Sequence, residues 1–331
     1  MSFYEKYFIK KELKAYVISL ETPELLFTNL RIQNINPILI KGVDGSKLNI
    51  SEKKKNTVPF FSDLGTNTTI AIGMSHIKAW KKIIESGDPY GMVFEDDVIL
   101  TDDFYNKTMQ HLLKLPKNYD IFYLGCFGCN NDFNFLNILF HMLALGNFNF
   151  KKINNSINRP SLALGTHAYV ISRSGAKKVL KELEGKLYFH IDFCLHLLAL
   201  NNKIKVYSPT KRLAYQKSTD TFNQLKTANS HPLLINKFLS NFYVDEKVKL
   251  SYITTVPICH IGPCGFNMTV SSILFVLLGF FLGKADYTFS DISIFYLILS
   301  IPDLTHENID IVGVHFIFFL IGFIIGKKSN E

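Results

Sequence analysis

Three consecutive acidic residues stand directly after an apolar run: Glu95, Asp96 and Asp97 follow Met92–Phe94. The run predicts a buried strand that delivers the acids to its carboxyl end, where open α/β sheets bind ligands. Because side chains alternate along a strand, Glu95 and Asp97 are expected on one side and Asp96 on the other. Carboxylates favour Mg²⁺ or Mn²⁺, which keep open positions for phosphate oxygens. The segment therefore indicates either a divalent-metal site or an acidic turn that caps the next helix.

Strands and helices alternate along the body that must position these acids. Apolar runs predict strands at 14–20, 37–43, 90–94, 119–124, 166–171 and 203–207. Periodicity and capping signals predict helices at 24–34, 71–85, 102–115, 172–184 and 192–200. The alternation predicts an α/β sandwich with a mostly parallel sheet. The charge run 51–56 is expected to be a solvated loop, and 133–158 an insertion or long loop.

The composition describes a globular body. The 331 residues are 47% hydrophobic and 19% charged, which excludes an intrinsically disordered chain. Five cysteines are too few for a disulfide scaffold, and the P-loop, dinucleotide-binding and Gly-x-Ser-x-Gly motifs are missing from the sequence. The Cys126-x-x-Cys129 pair has no neighbouring Cys or His pair, so no zinc site is expected there.

Charge is divided unevenly along the chain. Residues 1–265 hold 33 basic and 22 acidic residues, whereas residues 266–326 hold one lysine and five acids among long apolar runs. Two runs, 266–283 and 309–326, approach the roughly 20 residues that span a bilayer as a helix. A third, 292–302, is shorter. The sequence predicts two or three apolar transmembrane helices, the alternative being buried helices of a second globular domain.

Flanking charges give an expected orientation. No secretory signal is predicted, so the body is expected in the cytosol with free thiols. An even number of spans puts both ends on one side, and Lys327 and Lys328 favour the cytosol for that side. The expected organisation is an N-terminal extension (1–13), a body (14–222), a linker or helical extension (223–265), a membrane anchor (266–326) and a tail (327–331).

Several short motifs occur along the body in a fixed order. They are Val17-Ile18-Ser19-Leu20, Val43-Asp44-Gly45, Gly73-Met74-Ser75-His76, Val93-Phe94-Glu95-Asp96-Asp97-Val98, Gly165-Thr166-His167-Ala168-Tyr169 and Asp192. Their joint order resembles glycosyltransferase family 25, the lipooligosaccharide and procollagen galactosyltransferase-type enzymes, over roughly residues 14–222. The resemblance implies a GT-A-like fold, a nucleotide-sugar donor (usually UDP-linked), a divalent metal (Mn²⁺ or Mg²⁺) and inversion at the anomeric carbon.

The resemblance also implies roles for the matching positions. Glu95, Asp96 and Asp97 correspond to the acidic metal motif, with Asp97 as the expected direct ligand. Further positions are implied in binding: Ser19, Leu20, Asp44 and Gly45 for the nucleotide base and ribose, Gly165, Thr166 and Tyr169 for the acceptor or donor sugar, Ser75 with His76 for a signature whose role can be structural, and Gln216 near the end of the domain.

An inverting displacement needs a base on the acceptor hydroxyl, opposite the leaving nucleotide. Asp192 is the predicted base because it opens a short helix after an apolar stretch, and capping that helix is the alternative. His190 and His167 are further candidates, either as base, as metal ligand or as hydrogen-bonded core histidines. His76 lies on an apolar helical face, where a packed histidine is expected, and Trp80 is expected in the core.

The predicted function is a metal-dependent inverting transferase that moves galactose or glucose from a UDP-sugar to a hydroxyl of a glycan, a lipid-linked sugar or a protein. One departure favours an alternative: the family's early arginine has no counterpart in Glu21–Phe27, and Arg31 is displaced. The second hypothesis is therefore an inactive nucleotide-sugar-binding membrane scaffold. The basic body alone suggests nucleic-acid binding, but the sequence has no recognition motif for it, and no nucleic-acid partner is expected.

Overall fold

The computed structural model describes residues 13–129, 138, 141–142, 150–217, 232–245, 248–261, 266–305 and 309–330. The chain divides into two compact units, one of Met1–Ser62 with Asn67–Lys217 and one of Asp63–Thr66 with Ser218–Glu331. Most of the predicted insertion at 133–158 lies outside the described residues. So do the predicted extension up to residue 12 and the predicted boundary at residue 222.

The first unit alternates strands and helices as expected. Its strands are β1 (Leu13–Ser19), β2 (Ile35–Lys41), β3 (Tyr90–Glu95), β4 (Val98–Leu100), β5 (Ile121–Phe127), β6 (Lys151–Lys152), β7 (Ile157–Arg159), β8 (Leu164–Ser172), β9 (Val206–Pro209) and β10 (Ala214–Gln216). Its helices are α1 (Glu24–Ile32), α2 (Ile50–Asn56), α3 (Pro59–Leu64), α4 (Asn67–Ser86), α5 (Phe104–Lys114), α6 (Arg173–Leu183) and α7 (Ile191–Leu200), with a 3₁₀ turn at Gly45–Lys47.

Eight of these strands form one sheet, in the order β2-β1-β3-β8-β5-β9-β7-β6. β1 pairs in parallel with β2 and β3, and β5 in parallel with β9. β8 lies antiparallel between β3 and β5, and the β9–β7 and β7–β6 pairs are also antiparallel. Most strands therefore run in one direction, but the sheet is mixed. Because β8 runs in the opposite direction, its amino end meets the carboxyl ends of β3 and β5.

Helices cover both faces of the sheet. Trp80 of α4 and Val93 of β3 belong to the buried cluster on one face, and Leu30 of α1 and Phe94 belong to the cluster on the other. Alternate residues of β3 thus point into opposite cores, as the strand period requires. The predicted α/β sandwich is confirmed, and Trp80 is fully buried as expected.

Residues 51–56 are not the predicted solvated loop. They form α2, which begins with a capping box: the Asn49 side chain accepts from the Glu52 N–H, and the Glu52 carboxylate accepts from the Asn49 N–H. Each side chain satisfies a backbone donor that the first helical turn leaves open. The run of lysines hid this start signal, because the signal depends on two residues only.

The expectation of free thiols is wrong for one pair of cysteines. Cys126 and Cys129 form a disulfide, with Cα atoms 5.7 Å apart. A turn with a positive φ of 76° at Gly128 brings the two side chains together, and glycine adopts that conformation without strain. Cys194 and Cys259 are free thiols.

The second unit carries short elements followed by three apolar helices. The short elements are α8 (Leu233–Leu239), β11 (Tyr243–Asp245), β12 (Val248–Lys249), α9 (Leu250–Thr255), β13 (Pro257–Ile261) and β14 (Phe266–Thr269). The apolar helices are α10 (Val270–Lys284), α11 (Phe289–Thr305) and α12 (Ile309–Lys328). Within the described ranges, α12 alone is long and apolar enough to cross a membrane, with a mean hydropathy of 2.4.

Helices α10 and α12 pack through glycines with their backbones in direct contact. A Cβ atom on Gly279 would lie 2.0 Å from the Phe319 carbonyl oxygen, and one on Gly283 would lie 2.3 Å from that of Phe323. The contacts rise together along both helices, so α10 and α12 run parallel. Two spans that leave both ends of the anchor on one side would have to be antiparallel. The parallel packing of α10 and α12 does not fit that expectation.

Candidate active site

The carboxyl ends of β1 and β3 meet at the acidic turn. Ser19, the last residue of β1, donates its hydroxyl hydrogen to Asp96 Oδ2 at 2.5 Å. The Ser19 carbonyl oxygen accepts from the Gly42 N–H at 2.8 Å, which holds the end of β2 alongside. Leu20 follows with an exposed side chain. The structure therefore brings Ser19, Leu20 and Asp96 to one edge of the sheet.

Glu95 points instead into a buried hydrogen-bonded network. Its Oε1 accepts from the Thr166 hydroxyl at 2.7 Å and lies 3.2 Å from His76 Nε2. Thr166 reaches Glu95 because β8 is antiparallel and starts at the edge where β3 ends. One oxygen of the predicted metal ligand Glu95 is thus engaged by two protein donors.

Two buried side chains fix the hydrogen position on His76. The Trp80 Nε1–H donates to the Tyr169 oxygen at 2.7 Å, and that oxygen lies 2.9 Å from His76 Nδ1. Indole nitrogen can only donate, so the tyrosine uses its own hydrogen to bond Nδ1. In the neutral ring, Nε2 then carries the hydrogen and donates it to Glu95. His76 is the packed histidine that the helical face predicts.

The network keeps Glu95 ionised. Burial by itself would raise the pKa of this carboxyl, but its interaction with His76, together with the hydrogen bond of Thr166, outweighs burial and lowers the pKa. Hydrogen bonds to the charged form favour that form. Glu95 therefore carries its negative charge at neutral pH.

The Asp97 side chain contacts a third part of the fold, the end of β10. Its Oδ2 accepts from Gln216 Nε2 at 3.0 Å, and its carbonyl oxygen accepts from the Lys217 N–H at 2.9 Å. Gln216 ends β10, which pairs antiparallel with β4, the strand just after the acids. The late glutamine and the acidic turn are thus neighbours in the fold.

The donor set suits a hard divalent ion held by few protein ligands. Within the described ranges, no group of three His, Cys, Asp or Glu side chains is arranged to hold a metal. Mg²⁺-type sites use one or two carboxylates and fill the remaining positions with water and substrate phosphates. Asp96, exposed at the turn, and Asp97, half-buried beside it, fit that arrangement, whereas Glu95 is committed to His76 and Thr166.

Asp192 joins the site through the start of β8. Its Oδ2 accepts from the Gly165 N–H at 3.0 Å, and its Oδ1 accepts from the Phe193 N–H at 2.7 Å. Gly165 has a positive φ of 84°, and glycine adopts this turn freely. The N-cap of α7 is His190, so Asp192 does not cap the helix as the alternative proposed.

His190 makes no side-chain capping bond, and its ring contacts Phe189 with centroids 5.0 Å apart.

His167 is buried beside these acids and is neutral. Burial lowers its pKa to about 4, and the charge of Arg212 adds to this against the opposing charge of Glu95. The ring packs against Phe127 with centroids 5.5 Å apart. A histidine with so low a pKa is a weak base at neutral pH.

The Ser-His signature contributes its serine to positioning. The Ser75 hydroxyl donates to the Ala71 carbonyl oxygen at 2.7 Å and accepts from the Val43 N–H at 2.8 Å, so it fixes the chain after β2. Asp44 then accepts from the Ser46 N–H at 2.9 Å, and its hydrogen bonds with Ser46 lower its pKa. A Cβ on Gly45 would lie 3.1 Å from the backbone of α4, so only a small residue fits there.

The sequence did not predict the hydrogen-bonded network around Glu95. The resemblance implies sugar contacts for Thr166, whereas the structure places its hydroxyl on Glu95. Trp80 lies in the core as expected and also supports the network through Tyr169. Two spacings in the sequence are signals for this network, because each places two side chains on one face. His76 and Trp80 are four residues apart on one helix, and His167 and Tyr169 are two residues apart on one strand. The structure brings Glu95, Thr166, Gly165 and Asp192 together. It links Asp96 to Ser19 and Asp97 to Gln216. Around the turn after β2 it places three further predicted residues: Asp44, Gly45 and Ser75.

These features define an α/β protein with an acidic turn at the carboxyl edge of its sheet. The sequence profile described as glycosyltransferase family 25 (LPS biosynthesis protein) matches residues 12–195, more than half of the chain. The chain therefore belongs to glycosyltransferase family 25.

Individual relatives are more distant. "Procollagen lysyl hydroxylase and glycosyltransferase" of Acanthamoeba polyphaga mimivirus is 25% identical over 158 residues, which cover 44% of this chain and 16% of the relative. "Probable inactive glycosyltransferase 25 family member 3" of Bos taurus is 28% identical over 185 residues, covering 50% of this chain and 28% of the relative. The chain thus spans less than a third of either relative. The crystal structure of A197 from STIV aligns with 62% of this chain and 85% of its own, at 12% identity and a TM-score of 0.33.

Proposed function

We propose that the first unit is a glycosyltransferase that moves a hexose, galactose or glucose, from a UDP-sugar to an acceptor hydroxyl with inversion, on a GT-A-like fold. The observation that carries the proposal is the continuous chain of contacts from Glu95 through Thr166 and Gly165 to Asp192. It joins the carboxyl end of β3, where phosphates of a donor are expected, to the candidate base. Family membership supports the same reaction class.

Asp97 and Asp96 would hold Mn²⁺ or Mg²⁺. A divalent ion there supplies positive charge for the diphosphate of the leaving nucleotide. Gln216 orients Asp97, and Ser19 orients Asp96, through the hydrogen bonds described above. Ser19, Leu20, Asp44 and Gly45 follow β1 and β2 and would line the side for the base and ribose.

Asp192 would accept the proton of the acceptor hydroxyl. Its carboxylate accepts hydrogen bonds from two backbone N–H groups, which fixes its orientation. The acceptor is a glycan, a lipid-linked sugar or a protein side chain. The name of the mimivirus relative, which couples lysyl hydroxylation with glycosyl transfer, favours a protein acceptor.

The alternative is an inactive nucleotide-sugar-binding membrane scaffold. The missing early arginine and the bovine relative named as probably inactive support it. It differs from the enzyme in one measurable respect, because it binds the donor without releasing UDP.

The apolar helices would embed the protein in a membrane. α12 satisfies the length and composition of a span, but only 33% of its apolar window is buried by the rest of the protein. A soluble protein rarely exposes so much apolar surface. α10, α11 and α12 would therefore be embedded in a lipid bilayer.

UDP release by the full chain in detergent tests the enzymatic proposal. With UDP-galactose or UDP-glucose and Mn²⁺, the wild type should release UDP, and Asp97→Asn should reduce the rate by at least 100-fold, because a carboxylate is lost where charge develops (an order-of-magnitude expectation). The control is Asp102→Asn, an exposed aspartate outside the turn. An unchanged rate in Asp97→Asn would remove the metal assignment, and no release by the wild type with any donor would favour the scaffold.

A further inference from the structure

The three apolar helices follow an up-down-up path. α10 and α12 run parallel and side by side, so α11 must run back from the end of α10 to the start of α12, since only four and three residues separate it from the two helices in sequence. Contacts agree with this: Tyr296 of α11 donates its hydroxyl hydrogen to the Val312 carbonyl oxygen of α12 at 2.6 Å. The ring of Tyr296 also lies 5.9 Å from that of Phe275 on α10. Residues 270–328 thus traverse their own bundle three times.

Because α10 and α12 are in direct contact side by side, they must lie at the same depth in a membrane. Gly279 and Gly283 on α10 and Gly322 and Gly326 on α12 allow the two backbones to touch over two helical turns. Because the helices are fixed side by side, a bilayer that α12 crosses is crossed by α10 as well. A connection of three residues then obliges α11 to cross in the opposite direction.

The outer surface of all three helices is apolar. The exposed large side chains include Ile273, Leu274, Leu277 and Phe281 on α10, Phe289, Ile294, Leu297, Ile298 and Ile301 on α11, and Ile317, Ile321, Ile324 and Ile325 on α12. No one helix carries the whole patch, so a single partner helix would leave most of it in water. A lipid bilayer covers all sides at once.

The two ends of the bundle differ in charge. Lys284, Lys327 and Lys328 lie where α10 and α12 end. The same end also holds Asp286, which pairs with Lys327, and Asp291 in the first turn of α11. The opposite end holds Asp303 and Asp310, at the α11–α12 connection. An excess of lysine beside short connections marks the cytosolic end of membrane helices. This polarity matches a bundle that lies across a bilayer rather than along its surface.

We propose that α10, α11 and α12 cross the membrane three times, so that the residues before α10 face the opposite side from Lys327 and Lys328. The helices are about 22, 26 and 30 Å long at 1.5 Å per residue, and the shorter ones are accommodated by local thinning of the bilayer. This inference rests on the proposed membrane association. It differs from the even number of spans expected from hydropathy, because parallel packing of the outer helices is invisible in a hydropathy pattern.

Native glycosylation sequons provide a reporter for the first side. Asn49-Ile50-Ser51, Asn67-Thr68-Thr69 and Asn106-Lys107-Thr108 lie in the first unit with exposed asparagines. The full chain is expressed with endoplasmic-reticulum microsomes. One sequon on a polar insertion in the 285–288 connection and another on a short polar extension after Glu331 report the other side. Matched variants replace the reporter asparagines of one side at a time with glutamine, and alkaline carbonate extraction shows whether the chain is integral.

The expected result is an integral protein in which one side alone is glycosylated. The lysine-rich end favours modification of the first unit and of neither added sequon, and the reverse order supports three crossings equally. A 285–288 sequon that is modified, or left unmodified, together with the first unit would show a single crossing by α12 and overturn the inference. Modification of both sides, or of neither in the carbonate-resistant pellet, would overturn the inference, with protease protection of an epitope on each end as the second measurement. Loss of the protein from that pellet would instead overturn the membrane association itself.

Discussion

At the residue scale, Glu95 shows how neighbours decide what a side chain does. The apolar strand and the two following acids predict a metal ligand, yet the antiparallel entry of β8 supplies Thr166, and α4 supplies His76, as donors. Both bonds favour the ionised carboxylate in a buried place. Sequence alone could place the acid at the strand end, but it could not show which strand would come to lie beside it.

The Tyr169 hydroxyl links Trp80 to His76, and its removal should be costly. Tyr169→Phe leaves a buried indole N–H and a ring nitrogen without a partner, which costs about 1–3 kcal/mol of unfolding free energy. Urea unfolding measures this loss. The control is Tyr105→Phe on α5, outside the network, which should change stability by less than about 0.5 kcal/mol. Equal stability of wild type and Tyr169→Phe would contradict the network.

His167 gives the stability a specific dependence on pH. Its pKa is about 4 in the folded protein, against about 6.5 for an ordinary histidine, so only the unfolded chain takes up this proton between those values. Stability is unaffected above pH 6.5 and falls as the pH drops toward 4, by up to about 3 kcal/mol. Thermal unfolding as a function of pH should show a shallower decline for His167→Gln than for wild type or for His190→Gln. Parallel declines in all three proteins would contradict the burial of a neutral His167.

At the element scale, the alternation of strands and helices predicts the α/β sandwich, and most strand centres follow from apolar runs. The position of β8 does not follow, because local pattern carries no information on which strands become neighbours. The same limit applies to α2, where Asn49 and Glu52 start a helix inside a run of lysines. Pairings across the chain, such as Gln216 with Asp97, require the fold.

Two glycines of α12 offer a matched test of helix packing. A Cβ on Gly322 would lie 1.9 Å from the Val276 carbonyl oxygen, whereas one on Gly313 would have open space around it. Gly322→Ala should therefore separate α10 from α12 and lower the thermal unfolding temperature in detergent. Gly313→Ala should be neutral or stabilising by up to about 1 kcal/mol, because alanine favours the helix. Similar effects of the two substitutions would contradict the parallel contact.

At the scale of the whole molecule, charge and hydropathy separate a basic body, residues 1–265, from an apolar end. The compact units of the structure divide differently, because the second one consists of Asp63–Thr66 and Ser218–Glu331. Charge and hydropathy mark the apolar end because they are additive along the chain, but they do not show which residues pack into one compact unit. They do not determine how many times the apolar end crosses a membrane, which depends on Gly279, Gly283, Gly322 and Gly326 bringing two helices together in parallel.

Binding of Mn²⁺ in the presence of UDP tests the central claim most directly, because it needs no acceptor and no turnover. The central claim is that the acids after β3 hold a divalent ion together with the phosphates of a nucleotide. Calorimetric titration of the full chain in detergent should show Mn²⁺ binding that UDP strengthens, and Asp97→Asn should weaken it by at least about tenfold, or 1.4 kcal/mol. Asp102→Asn should bind as the wild type does. Equal Mn²⁺ affinity in the wild type and Asp97→Asn, with UDP present, would contradict the account.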